Sequence, residues 1–226
     1  MQKIISILFA TVLLTAQASC QSSNERNKQA ESQAQNTQVP VEVPAENGLE
    51  KAYFASGCFW CVEAIYESVE GVRESYSGYS GGHTENPTYE SSNTGRTGHA
   101  EAVEVVYDPA VVSFETLVDV YFGSQNVTQV NGQGPDRGSQ YRSIIFYQND
   151  TQKEIIDAKI NTLEQELGEG KVAAQVLPFQ KFWMGEAYHQ DYEENNPNNP
   201  YIQNVSIPRL KRFQKKFPEI LKEEAH

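Results

Sequence analysis

The chain is predicted to fold as an α+β protein: a two-layer α/β sandwich with a ferredoxin-like β-α-β-β-α-β core, a mixed sheet and a wrapping C-terminal tail. Three observations predict it. Short β-branched and aromatic runs alternate with segments of helical apolar spacing, in that order, over 51–147. The connections at 80–100 and 123–140 are long and glycine-rich, yet they carry or adjoin Tyr89, Glu101, Asp136 and Tyr141, a mixture that suits loops organising a site. Finally, 226 residues at 38% apolar content suffice for one ordinary domain plus extra segments, and the polar excess is concentrated near the N-terminus.

Taken in order, residues 1–20 hold Lys3, an apolar run at 4–16 and the small residues Ala18-Ser19 before Cys20. The run is too short for a stable membrane span and fits a secretory signal. A cysteine after small residues resembles a bacterial lipoprotein cleavage site, so Cys20 is the expected lipidation site, although Gln17 stands where an aliphatic residue is usual. Plain export with Cys20 as a bystander is the alternative. Residues 21–48 contain no aromatic side chain and read as a disordered tether. The folded domain is expected over 49–226, exported and facing the periplasm, membrane-bound only through Cys20.

Within that domain, 51–55 reads as a strand and 59–70 as a helix, with Val62, Ile65, Tyr66 and Val69 on one face. Between them lies Gly57-Cys58-Phe59-Trp60-Cys61. Cys58 therefore sits near a helix N-terminus, where free N–H groups and the helix dipole favour a thiolate. Strands follow at 72–79 and 102–107, the latter closed by the turn Asp108-Pro109. Ser113 caps a helix carrying Phe114, Leu117, Val118 and Tyr121, and 141–147 is the next strand. Asp150 caps a helix with Ile156, Ile160, Leu163 and Leu167 inward and Gly168 as its stop. Residues 172–177 form an edge strand, and the tail passes through Asn-Pro repeats into a basic helix at 208–216.

A net charge of −12 without a basic run outside that tail disfavours nucleic-acid binding. Cys20, Cys58 and Cys61 are too few for a disulfide scaffold. A C-x-x-C pair can be half of a zinc site, but His83, His99, His189 and His226 offer no H-x3-5-H partner. No metal is expected.

The carrying strings are Gly57-Cys58-Phe59-Trp60, Gly78-Tyr79-Ser80-Gly81-Gly82, Asn86-Pro87-Thr88-Tyr89 and Thr97-Gly98-His99-Ala100-Glu101. Gly134-x-Asp136-x-Gly138-Ser139-Gln140-Tyr141-Arg142-Ser143 and Tyr188-His189-Gln190-x-Tyr192 complete them. In this order, across 49–217, they resemble the A type of peptide methionine sulfoxide reductase. Two departures stand out: Asn126-Val127-Thr128 replaces a more usual His-Asp-Pro-Thr run, and Ser92 stands where some members carry a cysteine.

The resemblance implies reduction of methionine-S-sulfoxide in oxidised proteins and peptides, with Cys58 as nucleophile and Glu101 as proton donor if burial raises its pKa. Tyr89 and Tyr141 carry over as hydroxyl donors to the sulfoxide oxygen, and Asp136 as a polar organiser. Phe59 and Trp60 carry over as the wall that accepts the S-methyl group, with His189 as structural support. Cys61 carries over as the resolving thiol, forming a Cys58–Cys61 disulfide that a thioredoxin-like reductant resets. No organic cofactor is implied, and a monomer is expected.

Overall fold

A computed structural model describes residues 38–223; Cys20, the signal segment and most of the tether lie outside the described residues. Six strands form one mixed sheet in the order β7-β6-β1-β3-β2-β8. They are β1 (Glu50–Ala55), β2 (Val72–Ser80), β3 (Ala100–Tyr107), β6 (Ile144–Tyr147), β7 (Gln175–Pro178) and β8 (Trp183–Met184). A separate two-stranded ribbon pairs β4 (Gly132–Gln133) with β5 (Asp136–Arg137). β3 lies between β1 and β2 and runs antiparallel to both, and β6 lies antiparallel on the other side of β1. This is the expected split β-α-β core; β7, parallel to β6, adds the predicted edge.

Alternation along the strands divides the core. Ala52, Phe54, Val103 and Val105 face α1 (Phe59–Glu67), α3 (Phe114–Gly123) and α4 (Asp150–Leu167). Phe54 is fully buried, stacked on Tyr66 at 4.9 Å with Tyr121 at 5.6 Å. Tyr53, Ala55, Ala102 and Phe146 face the other way, where Phe179 stacks on Tyr53 at 3.7 Å.

The second face is also covered by residues that composition assigned to the tether. Val41 N–H donates to the Phe179 carbonyl at 2.8 Å, Val43 N–H donates to Gln148 Oε1 at 2.8 Å, and the Val43 side chain packs on the Tyr53–Phe179 cluster. The compact unit therefore begins at Val39, upstream of the expected boundary at 49. Pro40 and Pro44 leave Val41 and Val43 free to alternate as a short strap.

Other boundaries move for local reasons. α1 stops at Glu67, where the Ser68 hydroxyl turns back onto the Ile65 carbonyl at 2.7 Å. The cap of α4 is Asn149, not Asp150, because Asn149 Oδ1 accepts the Gln152 N–H at 3.0 Å. β6 begins at Ile144, since Ser139–Tyr141 coil into a 3-10 turn. A short helix, α2 (Tyr89–Asn93), interrupts the first long loop, started by a capping box between Thr88 and Ser91. In the tail, α5 (Tyr192–Asn195) and a π turn (Ile202–Ser206) precede α6 (Ile207–Lys216). Among the described residues no helix is long and apolar enough to cross a membrane.

Phe54 makes the stacked core between sheet and helices, so Phe54→Ala is expected to cost about 3–5 kcal/mol. Urea unfolding checks this; a loss below about 1 kcal/mol, within the range of ordinary surface changes, would remove Phe54 from that role.

Candidate active site

The site is assembled where β1 turns into α1. Gly57 holds φ +90 there, and a Cβ would lie 2.5 Å from Gln133 Cβ, so the turn and the close second loop both require glycine. Cys58 is the residue before the first turn of α1, and both Cys58 and Cys61 are free, buried thiols.

Glu101 is the second residue of β3, opposite Tyr79 of β2, and is 2% exposed. Its Oε2 accepts the Phe59 N–H at 3.1 Å, the first free donor of α1. Burial pushes the Glu101 carboxyl up to about 8, against that hydrogen bond, with Asp136 and Cys61 adding to the rise. Glu101 is therefore mostly protonated at neutral pH and holds a proton beside the dithiol.

The thiolate expected at Cys58 is not the resting form. Burial, then the neighbouring Cys61, then Glu101 push the Cys58 thiol up. The physical reason is that Glu101 takes the helix's leading N–H, and the sulfur lies in a protein interior rather than at an open helix end. Cys61 is held below the ordinary thiol range, first by the hydrogen bond from Cys58 and then by the Arg209 guanidinium, against its own burial. The anion of the pair thus belongs on Cys61.

An aromatic cradle surrounds the start of α1. Phe59 is fully buried, with His189 at 4.8 Å, Tyr79 at 5.8 Å and Tyr89 at 6.3 Å between ring centres. Trp60 stacks on Tyr192 at 3.7 Å and 8°. Its indole N–H donates to His189 Nδ1 at 3.1 Å, which puts the imidazole proton on Nε2. Burial holds the His189 ring below its usual range, hence neutral. His189 therefore orients Trp60.

The tyrosines reach the site from the two loops. Tyr89 is the first residue of α2, its N–H anchored on Glu186 Oε1 at 2.9 Å. Tyr141 ends the 3-10 turn, its hydroxyl 3.5 Å from Asn93 Oδ1. Burial is the largest cause that raises both phenols, so both remain hydroxyl donors. Asp136 sits apart from this pair: its Oδ2 accepts the Tyr201 hydroxyl at 2.6 Å, and that hydroxyl lies 3.7 Å from Cys61 Sγ.

Arg142 binds the loops to each other. Its guanidinium donates to the carbonyls of Gly98 at 2.8 Å, Ser139 at 2.8 Å and Gly81 at 3.3 Å, and to Gln175 Oε1 at 3.1 Å. Burial lowers Arg142 only to about 10, so it is charged at neutral pH. The second loop is pinned independently at Asn126, whose side chain accepts from both the Thr128 N–H and hydroxyl at 3.1 and 2.9 Å.

Sequence reasoning missed Tyr201, Asn93, Glu186, Arg209 and the bridging role of Arg142. Arg142 lay inside a quoted string, and Tyr201 directly follows the Asn-Pro repeats; spacing gave neither a partner. Among the described residues no group of three or more His, Cys, Asp or Glu is placed to hold a metal.

Comparison with known proteins gives one answer. The family described as peptide methionine sulfoxide reductase matches residues 50–221. The chain is 47% identical over 173 residues to a peptide methionine sulfoxide reductase MsrA of Pasteurella multocida, covering 76% of this chain and 99% of the relative. It is 42% identical to the MsrA of Saccharolobus solfataricus, covering 77% of this chain and 98% of the relative. The solved methionine sulfoxide reductase A of Corynebacterium diphtheriae superposes with a TM-score of 0.61 at 32% identity, over 72% of this chain and 87% of that one.

Two outcomes are expected from this geometry. Arg142→Met removes the guanidinium from the Gly81 and Gly98 carbonyls, so hydrogen exchange at the His83 amide, bonded to the Thr97 carbonyl at 3.0 Å, accelerates. Unchanged exchange there would detach Arg142 from loop docking. For pH, a Glu101 pKa raised from 4.5 to about 8 means the folded state binds the extra proton between those values. Its contribution to stability is complete below 4.5 and is lost as pH rises toward 8. Glu101→Gln flattens that part of the stability–pH curve; a curve identical to the parent would place the Glu101 pKa elsewhere.

Proposed function

The chain belongs to the peptide methionine sulfoxide reductase family and is a thiol-dependent oxidoreductase, and from that premise we propose that it reduces the S epimer of methionine sulfoxide in proteins through Cys58, Glu101 and Cys61. The observation that carries the reading is a buried, protonated carboxyl on β3, hydrogen-bonded to the helix that begins at a buried dithiol.

Phe59, Trp60 and the rings beside them receive the S-methyl group. The Tyr89 and Tyr141 hydroxyls hold the sulfoxide oxygen, where negative charge develops. Cys58 sulfur attacks the sulfoxide sulfur as Glu101 delivers a proton to that oxygen. The hydroxyl passes from the sulfoxide sulfur to Cys58 Sγ, the transient bond between the two sulfurs breaks with its electron pair on the thioether, and the Cys58 thiol proton goes to the Glu101 carboxylate, leaving Cys58 as a sulfenic acid. Cys61 then attacks Cys58 Sγ, water leaves, and a Cys58–Cys61 disulfide forms. A thioredoxin-like dithiol resets the pair. The low thiol range at Cys61 suits this second step, because the resolving nucleophile is a thiolate.

In the same reading the protein works as an exported monomer tethered through Cys20, supported by Lys3, the apolar run at 4–16 and the polar segment behind it. Cys20→Ala then abolishes incorporation of labelled fatty acid while leaving turnover unchanged; unaltered labelling would overturn the anchor.

Separated S and R sulfoxide peptides, tested under single turnover, decide the main reading. Wild type with dithiothreitol turns over the S epimer, and Cys58→Ser does not. Cys61→Ser reduces one equivalent per chain and stalls, where a generic disulfide exchanger reduces none. Glu101→Gln slows the chemical step by about 10²–10⁴, the range for a lost general acid, and the wild-type rate falls as pH rises through about 8. Inert wild-type protein would overturn the assignment.

A further inference from the structure

A cavity of about 720 Å³ opens beside the dithiol between the second loop and α6, and among the described residues it reaches Cys61 but not Cys58. Phe59, Tyr89 and His189, the cradle side chains, do not line it. The chain carries a net charge of −12, yet this groove is basic. Arg209, Arg212 and Lys216 stand at i, i+3 and i+7 of α6 on its wall, and the one carboxylate among its described lining residues, Asp136, is taken by the Tyr201 hydroxyl. Arg212 and Lys216 are exposed, and among the described residues neither forms an ion pair. Arg209 is 8% exposed and also pairs with no carboxylate; it donates to the Ser56 carbonyl at 2.9 Å, the Ser56 hydroxyl at 3.1 Å and the Ser124 carbonyl at 3.0 Å. A buried guanidinium without a carboxylate ion-pair partner is thus fastened next to the dithiol turn, and two exposed cations extend that charge to the surface, Lys216 lying 3.4 Å from the Gly123 carbonyl.

Resting on the reductase reading, we propose that this groove is the docking face for a dithiol reductant protein with an acidic rim around its attacking thiol, and that the attack falls on Cys61. In that step the reductant thiolate bonds to Cys61 Sγ, the Cys58–Cys61 bond breaks, and Cys58 leaves with the electron pair and is protonated from solvent. The reductant's second thiol then attacks its own sulfur of the mixed disulfide, and Cys61 departs as a thiolate beside Arg209. The reductant ends as a disulfide and the enzyme as a dithiol, two electrons having passed. The acidic partner is selected by charge complementarity with the three cations, and substrate and reductant reach different sulfurs of the pair.

The test uses the Arg212→Glu/Lys216→Glu protein, wild type as reference, an acidic thioredoxin kept reduced by its own reductase, and dithiothreitol as a small uncharged thiol. The thioredoxin KM is expected to rise about tenfold and to lose most of its salt dependence, as for electrostatically steered encounter. Turnover with dithiothreitol stays at the wild-type level, which also shows that the variant is folded. A thioredoxin whose second cysteine is serine is captured as a mixed disulfide on Cys61, read by peptide mass. An unchanged thioredoxin KM, or capture on Cys58, overturns the proposal. Wild type inert even with dithiothreitol sinks the reductase reading and the proposal together.

Discussion

The contact on which the rest depends is the hydrogen bond from the Phe59 N–H to the Glu101 carboxyl, 3.1 Å long in a dry interior. It joins the centre of the sheet to the first turn of the helix that carries both thiols. A helix N-terminus left open would lower a thiol. Here the leading donor is given to a carboxyl, and Cys58 stays protonated by burial. The same burial that raises the thiol raises the acid, so one desolvated spot keeps both groups protonated. The cost is a carboxyl whose ionisation opposes folding at high pH, held in place by its register against Tyr79 of β2.

Around that contact the two long loops act as one wall because Arg142 reads carbonyls from both. Three backbone carbonyls on one guanidinium replace what a continuous sheet would otherwise supply. Loops of this length lose much entropy on ordering, and a charged, multiply donating anchor offsets it better than apolar packing of glycines can. Tyr141, from the second loop, reaches Asn93 of the first at 3.5 Å, on the same short helix as Tyr89.

The core was legible in the sequence because periodicity reports burial. Phe54 in a short aromatic and apolar run, and Val62, Ile65 and Tyr66 at helical spacing, mark the faces that pack together. The split β-α-β order follows from it. What composition misread was 39–43, where two valines among prolines look like tether, yet they cover the Tyr53–Phe179 face. That packing is a long-range fact with no local signature. The same holds for Tyr201 and Arg209, which follow α5 in the tail and act on thiols far upstream in the chain. Motif strings located Cys58, Glu101, Tyr89 and Tyr141, but the resting protonation of Cys58 required burial to be known, since helix-end electrostatics and desolvation pull it in opposite directions.

The C-terminal tail is therefore more than a wrap. It supplies Glu186, which anchors Tyr89; His189, which sets the Trp60 ring; Tyr201, which bridges Cys61 to Asp136; and Arg209, which braces the Ser56 turn. Each binds a different residue of the site, and none belongs to the split β-α-β core. A core folded without this tail would keep the position of Glu101, because that is set by strand register. It would weaken the bias of the thiol anion toward Cys61, which rests first on the hydrogen bond from Cys58, because Arg209 and Tyr201 both add to it. The fold thus separates two tasks physically: the sheet holds the acid against the first thiol, and the tail conditions the second.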